Sequence, residues 1–101
     1  MSRVCRITPR ASRDIEAIAD YLAAQRGLNR AERLLNGIDS TLQRIAQFPQ
    51  IGRKRDELYP GSRSLPYEQY LIFYRLINDE IEVLRIVSGY QDLTALFDDF
   101  L

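Results

Sequence analysis

Apolar positions recur with two different periods, which divide the chain into a helical first half and a strand-rich second half. The helical sets are Ala11, Ile15, Ile18 and Leu22, then Ala31, Leu34, Ile38, Leu42 and Ile45. Steps of three and four residues place each set on one face of a helix. Thr8 and Pro9 predict the first start, because a hydroxyl caps free amides and proline needs no partner there. Gly27 and Asn29 predict the end of this helix and the cap of a second, so the helices form an antiparallel hairpin.

Short runs of β-branched and aromatic residues predict the strands. The predicted strands are Arg3–Ile7, Ser62–Tyr67, Tyr70–Ile77 and Glu80–Ser88. Pro49 ends the second helix, and the charged stretch 53–61 is interpreted as a loop. Asn78-Asp79 predicts a two-residue turn, since both residues tolerate a positive φ. This turn pairs Arg75 with Glu82 and Ile72 with Arg85.

The order β-α-α-β-β-β predicts an α+β sandwich, in which the N-terminal helical hairpin packs on a small antiparallel-rich sheet. Residues 1–101 are interpreted as one domain, and Asp92–Leu101 as a short amphipathic tail helix. We expect the second face of the sheet to be open or only partly covered by this tail. Gly37 lies in the middle of the second helix, which indicates close packing there.

Composition narrows the function. The 101 residues are 46% hydrophobic and 28% charged, which argues against disorder. No apolar run is long enough for a membrane span, no signal peptide is recognised, and we expect a cytoplasmic protein. The single cysteine excludes an internal disulfide, and the absence of histidine excludes histidine triads and the usual zinc sites. No metal or cofactor is predicted.

Charge is unevenly distributed although it sums to zero. Residues 1–75 carry 13 basic and 8 acidic residues, whereas 76–101 carry 1 and 6. Thirteen of the 14 basic residues are arginine, which suits bidentate contacts to carboxylate or phosphate. The neutral sum argues against an indiscriminate nucleic-acid binder, and no sequence-specific nucleic-acid binding is expected.

Four polar residues are the candidates for contact with a target. Arg85 lies among apolar strand residues, so it requires a carboxylate, a carbonyl cluster or an external anion. Arg63 opens a strand and can bridge to a carboxylate or point at a ligand. Tyr90 and Asp92 follow the last strand, where Asp92 is interpreted as the cap of the tail and Tyr90 as a possible proton donor.

Several weak motifs, in order, resemble the ParE toxins of the ParE/RelE superfamily of type II toxin–antitoxin systems. They are Thr8-Pro9-Arg10-Ala11, Asp14-Ile15, Ile18-x-x-Tyr21, Ala31-x-x-Leu34, Leu42-x-x-Ile45, Phe48-Pro49-x-x-Gly52-Arg53, Asp56-Glu57-Leu58, Gly61-x-Arg63, Tyr70–Arg75, Ile81–Val87 and Asp92-Leu93. Many members carry a histidine and an arginine where this chain has Ser88 and Gln91.

The resemblance implies a growth-arresting toxin, used in plasmid stabilisation, that forms a hetero-oligomer with a ParD-like antitoxin. ParE members inhibit DNA gyrase by binding, whereas RelE members cleave mRNA on the ribosome. A ribonuclease here would depend on Arg63, Arg85 and Tyr90, without an evident base, because the chain has one lysine and no histidine. Gyrase inhibition is therefore favoured over RNA cleavage, and a toxin-like domain without activity is the third hypothesis.

An antitoxin segment is expected to dock on exposed apolar surface as a helix or an added strand. The candidates are Leu28 and Leu35 on the helical hairpin, and Tyr70 and Tyr74 on the sheet face taken to be uncovered.

Overall fold

Two helices pack on one face of a five-stranded mixed sheet, which confirms the predicted α+β fold. The structure, a computed structural model, describes residues 3–90 and 92–98. The elements are β1 (Cys5–Ile7), α1 (Pro9–Arg26), α2 (Leu28–Gln47), β2 (Arg53–Lys54), β3 (Ser62–Tyr67), β4 (Tyr70–Ile77) and β5 (Glu80–Ser88). The strand order is β1-β5-β4-β3-β2, with β1 parallel to β5 and the other neighbours antiparallel.

The helical hairpin begins as predicted but turns more tightly. The Thr8 hydroxyl accepts a hydrogen bond from the Ala11 N–H at 3.2 Å, so Thr8 is the cap of α1. Gly27, with φ of +93°, both ends α1 and caps α2. The prediction that Asn29 caps α2 is wrong, because this glycine reverses the chain within one residue and leaves Asn29 inside the helix. Among residues 3–90 and 92–98, no helix carries the apolar stretch that crossing a bilayer requires.

The main core lies between the helices and the sheet. Its fully buried members include Ala11, Leu34, Ile45, Ile72, Tyr74, Ile81 and Val83. A side chain at Gly37 would overlap the Tyr67 hydroxyl, so the close packing predicted at this glycine is confirmed. Close approach of α2 to β3 therefore needs a residue without a Cβ.

Two tyrosines lie on the opposite face from the one predicted. Tyr70 and Tyr74 are 9% and 0% exposed and belong to the core beneath the helices. Their assignment to an uncovered, antitoxin-facing surface is therefore wrong. β4 is apolar on both faces, and alternation alone does not show which face meets the helices.

A second apolar cluster covers the other face of the sheet. It contains Phe73, Leu84, Val87, Leu96 and Phe97, bordered by Leu58, Tyr59, Leu71 and Leu93. The segment 92–98, here called the tail, supplies Leu96 and Phe97 and forms turns, so the predicted tail helix is not confirmed. Residues 99–101 of that predicted helix lie outside the described part of the chain.

The strand register follows the prediction near the turn and then shifts. Arg75 pairs with Glu82 as predicted, but Ile72 pairs with Ile86, and Phe73 faces Arg85. A β-bulge beside Phe73 and Tyr74 accounts for the shift. The stretch predicted as loop also contains β2, which pairs with β3 through Arg53–Lys54.

Candidate functional site

Arg85 is held by an internal carboxylate. Its Nε donates to Asp14 Oδ2 at 2.8 Å and its Nη2 donates to Asp14 Oδ1 at 3.1 Å. Its Nη1 also donates to the Leu96 carbonyl at 3.1 Å. The two charged side chains are 12% and 16% exposed. Of the alternatives left open by the sequence, the structure therefore shows an internal ion pair.

The first turns of α1 also complete the hydrogen bonds of the bulge. Asp14 Oδ2 accepts the Ile86 N–H at 3.0 Å, so one carboxylate binds both a guanidinium and the strand backbone. Thr8 donates its N–H to the Val83 carbonyl and its hydroxyl to the Leu84 carbonyl. Because these groups lie at the irregular part of the ladder, α1 supplies the partners that β4 does not.

Arg63 and Tyr74 fasten the loop after α2. Arg63 Nη1 donates to the carbonyls of Gln50 and Gly52 at 3.2 and 2.8 Å. The Tyr74 hydroxyl donates to the Pro49 carbonyl at 2.7 Å and accepts the Gly52 N–H at 2.9 Å. Burial raises the pKa of Tyr74, although the Gly52 N–H opposes this by favouring the phenolate. Sequence reasoning missed Tyr74 as a loop clamp, and the only sequence signal is the Pro49-Gln50-Ile51-Gly52 run itself.

The two candidates after β5 are exposed. The Tyr90 side chain is 92% exposed and free to meet a large partner. Asp92 Oδ1 accepts hydrogen bonds from the Thr94 N–H and hydroxyl, and these bonds lower the pKa of Asp92. Asp92 therefore caps a turn in the tail, not a regular helix.

The polar candidates do not converge on one site. β4 separates Arg63 on β3 from Arg85 on β5, which puts their backbones roughly 10 Å apart at the usual strand spacing. Glu68, a further candidate for acid–base chemistry, forms an ion pair with Arg30 at 2.6 Å. Within residues 3–90 and 92–98, no group of histidine, cysteine or carboxylate side chains could hold a metal ion.

Exposed apolar side chains form two surfaces far apart along α2. Leu28 and Leu35 are 71% and 37% exposed, and a spacing of seven residues places them on one face of the helix. At the other end, Phe48, Ile51 and Leu76 line an open cavity of about 440 Å³. The sequence indicated the first surface, whereas the second surface depends on the fold of the clamped loop.

This fold, two helices on a five-stranded sheet, is that of ParE- and RelE-type toxins. A chain from a chromosomal ParDE toxin–antitoxin system of P. aeruginosa superposes with a TM-score of 0.74 and 26% identity, over 86% of this chain and 96% of that one. A chain from the RelBE2 toxin–antitoxin complex of Mycobacterium tuberculosis shares the fold, with a TM-score of 0.61 at 18% identity, over 87% of this chain and 99% of that one.

The chain belongs to the ParE toxin family of the type II toxin–antitoxin system parDE, whose family model matches residues 5–93. Toxin ParE3 of Caulobacter vibrioides is 34% identical over 95 residues, which cover 94% of both chains. Toxin ParE1 of Mycobacterium tuberculosis is 32% identical over 88 residues, covering 86% of this chain and 90% of the relative. The family predicted from the sequence is thus confirmed.

Proposed function

We propose that this ParE-like toxin acts in the cytoplasm, where it inhibits DNA gyrase by binding and is neutralised by a ParD-like antitoxin in a hetero-oligomer. The match to ParE over residues 5–93 supports the class of toxin. The structural relatives come from a ParDE system and a RelBE2 complex, which supports an antitoxin as partner.

The engagement of the polar candidates supports inhibition by binding over RNA cleavage. Cleavage would need a base for the 2′-hydroxyl, an acid for the leaving oxygen and a cation for the developing charge, all within reach of one phosphate. Here Arg85 is paired with Asp14, and Arg63 is bound to loop carbonyls. The guanidiniums therefore stabilise the fold, whereas Tyr90 is 92% exposed and available for a protein contact.

A supercoiling assay with purified gyrase tests the proposal. The wild-type toxin at micromolar concentration is expected to inhibit supercoiling, and the antitoxin is expected to restore it. Tyr90→Ala should weaken inhibition without lowering the melting temperature, because this side chain is almost fully exposed. Tyr21→Ala is the matched control, since Tyr21 is 65% exposed on α1 and lies outside the target-binding candidates.

The same preparation added to a translating extract tests the RelE-type alternative. We expect intact mRNA. Toxin-dependent cleavage that Tyr90→Phe abolishes, together with unimpaired supercoiling, would show that the toxin acts on the ribosome. Full supercoiling activity and intact mRNA, with a folded toxin, would indicate the domain without activity.

A further inference from the structure

The tail places a phenylalanine in contact with two aromatic residues of the body. The ring of Phe97 packs edge-on against Phe73, with centroids 5.2 Å apart and an interplanar angle of 74°. It also lies against Tyr59 with centroids 5.4 Å apart and an angle of 33°. Phe97 itself is 2% exposed. We call the receptor formed by Tyr59 and Phe73 the aromatic slot.

The walls of the aromatic slot belong to structure that does not depend on the tail. Phe73 lies on β4, which is hydrogen-bonded on both sides within the sheet. The Arg55 guanidinium carbon lies 5.9 Å from the Phe73 ring centroid, and that of Arg75 lies 5.3 Å from the Tyr59 ring centroid. Arg75 is fixed in turn by Glu82 at 2.6 Å. The slot is thus a preformed apolar receptor bordered by two cations.

The tail is fastened mainly by its side chains. Its backbone hydrogen bonds are local, from the Leu96 N–H to the Leu93 carbonyl and from the Asp98 N–H to the Ala95 carbonyl. Arg85 joins it to the sheet through the Leu96 carbonyl at 3.1 Å. A segment held by few buried contacts and few hydrogen bonds to the body opens more readily than a sheet does.

We propose that the aromatic slot is a binding site for an aromatic side chain on a short apolar segment of a partner protein, and that Phe97 closes this site in the free toxin. The chemistry of the partner segment is read from the tail seated there, in which a leucine and a phenylalanine are adjacent and enter one apolar cluster. The tail then acts as a strap that competes with the partner. This inference goes beyond inhibition of gyrase and holds for either target.

A peptide supplied in trans tests the site. The probe is the heptapeptide Asp-Leu-Thr-Ala-Leu-Phe-Asp, with the sequence of residues 92–98, titrated by NMR into full-length Phe97→Ala. We expect saturable shifts at Tyr59 and Phe73, and at least ~10-fold weaker binding to the wild type, whose own tail competes at a high effective concentration. Phe48→Ala should bind as weakly as the wild type, since Phe48 is exposed outside the slot. Equal binding of a probe with alanine in place of its phenylalanine, or no binding to folded Phe97→Ala, would overturn the proposal.

Hydrogen exchange on the wild type tests the strap without any substitution. The amides of Leu96 and Asp98 should exchange through an opening that is insensitive to denaturant. The Ile72 amide in β4 should exchange only through global unfolding. If the tail and β4 amides exchange through the same global event, the tail is not a strap and the proposal fails, whether or not Phe97→Ala folds.

Discussion

At the scale of single residues, a few buried polar atoms fix the loop and the bulge. Tyr74 is fully buried, yet its hydroxyl serves as donor to Pro49 and acceptor from Gly52. The hydrophobic pattern assigns Tyr74 to a strand, but no pattern reveals that its hydroxyl clamps a loop more than twenty residues earlier. Such a role depends on where the ring ends in three dimensions.

Tyr74→Phe should lower the free energy of unfolding by about 1–3 kcal/mol, because it leaves the buried Gly52 N–H without its acceptor. Urea unfolding at neutral pH measures this loss. Tyr90→Phe is the control, since that hydroxyl is exposed and its removal should change stability by less than about 0.5 kcal/mol. Equal stability of Tyr74→Phe and the wild type would show that the clamp contributes nothing.

The same hydroxyl should make stability fall in alkali. The folded chain raises the pKa of Tyr74 above its ordinary value of 10.0, so the folded state keeps the proton more tightly than the unfolded state. Stability from this group is complete below about pH 10 and is lost as the pH rises from there through the raised pKa. Burial raises the pKa of Tyr67 in the same direction. The part due to Tyr74 is therefore the wild-type slope minus that of Tyr74→Phe, and parallel slopes would contradict it.

Asp14→Asn should cost about 2–4 kcal/mol of stability, because it leaves the Arg85 charge without its carboxylate in a largely buried setting. The same change weakens the acceptor for the Ile86 N–H at the bulge. Denaturant unfolding measures the cost, and Asp20→Asn on the exposed face of α1 is the matched control. A loss no greater than that of the control would mean that Arg85 does not need Asp14.

At the scale of elements, local signals predicted the structure well and distant contacts did not. The turn at Asn78-Asp79 fixed the ends of β4 and β5, because both residues adopt the positive φ, 53° and 60°, that this hairpin requires. The bulge was missed because Asp14 and Thr8, which satisfy it, lie more than seventy residues away. β2 was missed because two charged residues carry no apolar alternation.

Asn78→Ala should destabilise the protein by about 1 kcal/mol, since alanine in the left-handed region costs about 1–2 kcal/mol. The matched control is Asn29→Ala, which changes the same residue type inside α2. There alanine favours the helix, so stability should be unchanged or slightly higher. Thermal melts of both variants measure the difference. A larger loss at Asn29 than at Asn78 would contradict both assignments.

At the scale of the whole molecule, the opposite charges of the two parts of the sequence meet in the fold. Arg3 pairs with Asp79, Arg6 with Glu80, and Arg85 with Asp14. These pairs join the basic N-terminal part to the acidic β4–β5 hairpin and, through Arg85, to α1. The charge asymmetry of the sequence is therefore used within the domain, and the apolar surfaces remain the features most suited to a protein partner.

Antitoxin binding should raise the melting temperature of the toxin, because a ligand that binds only the folded state stabilises it by about 2.7 kcal/mol at 100 times its Kd. For a domain of this size the rise is roughly 10–20 °C. The exposed surface of Leu28 and Leu35 is our candidate for the contact. Leu28→Asp with Leu35→Asp should therefore abolish the rise, since a carboxylate cannot be desolvated there without a partner.

Phe48→Asp places the same charge on the exposed apolar surface at the other end of α2 and should leave the rise intact. Each variant is compared with its own melting temperature in the absence of antitoxin, so that any intrinsic destabilisation cancels. If the rise instead survives in the double leucine variant and disappears in Phe48→Asp, the antitoxin binds at the cavity of Phe48, Ile51 and Leu76. The face of the helical hairpin would then be free for another contact.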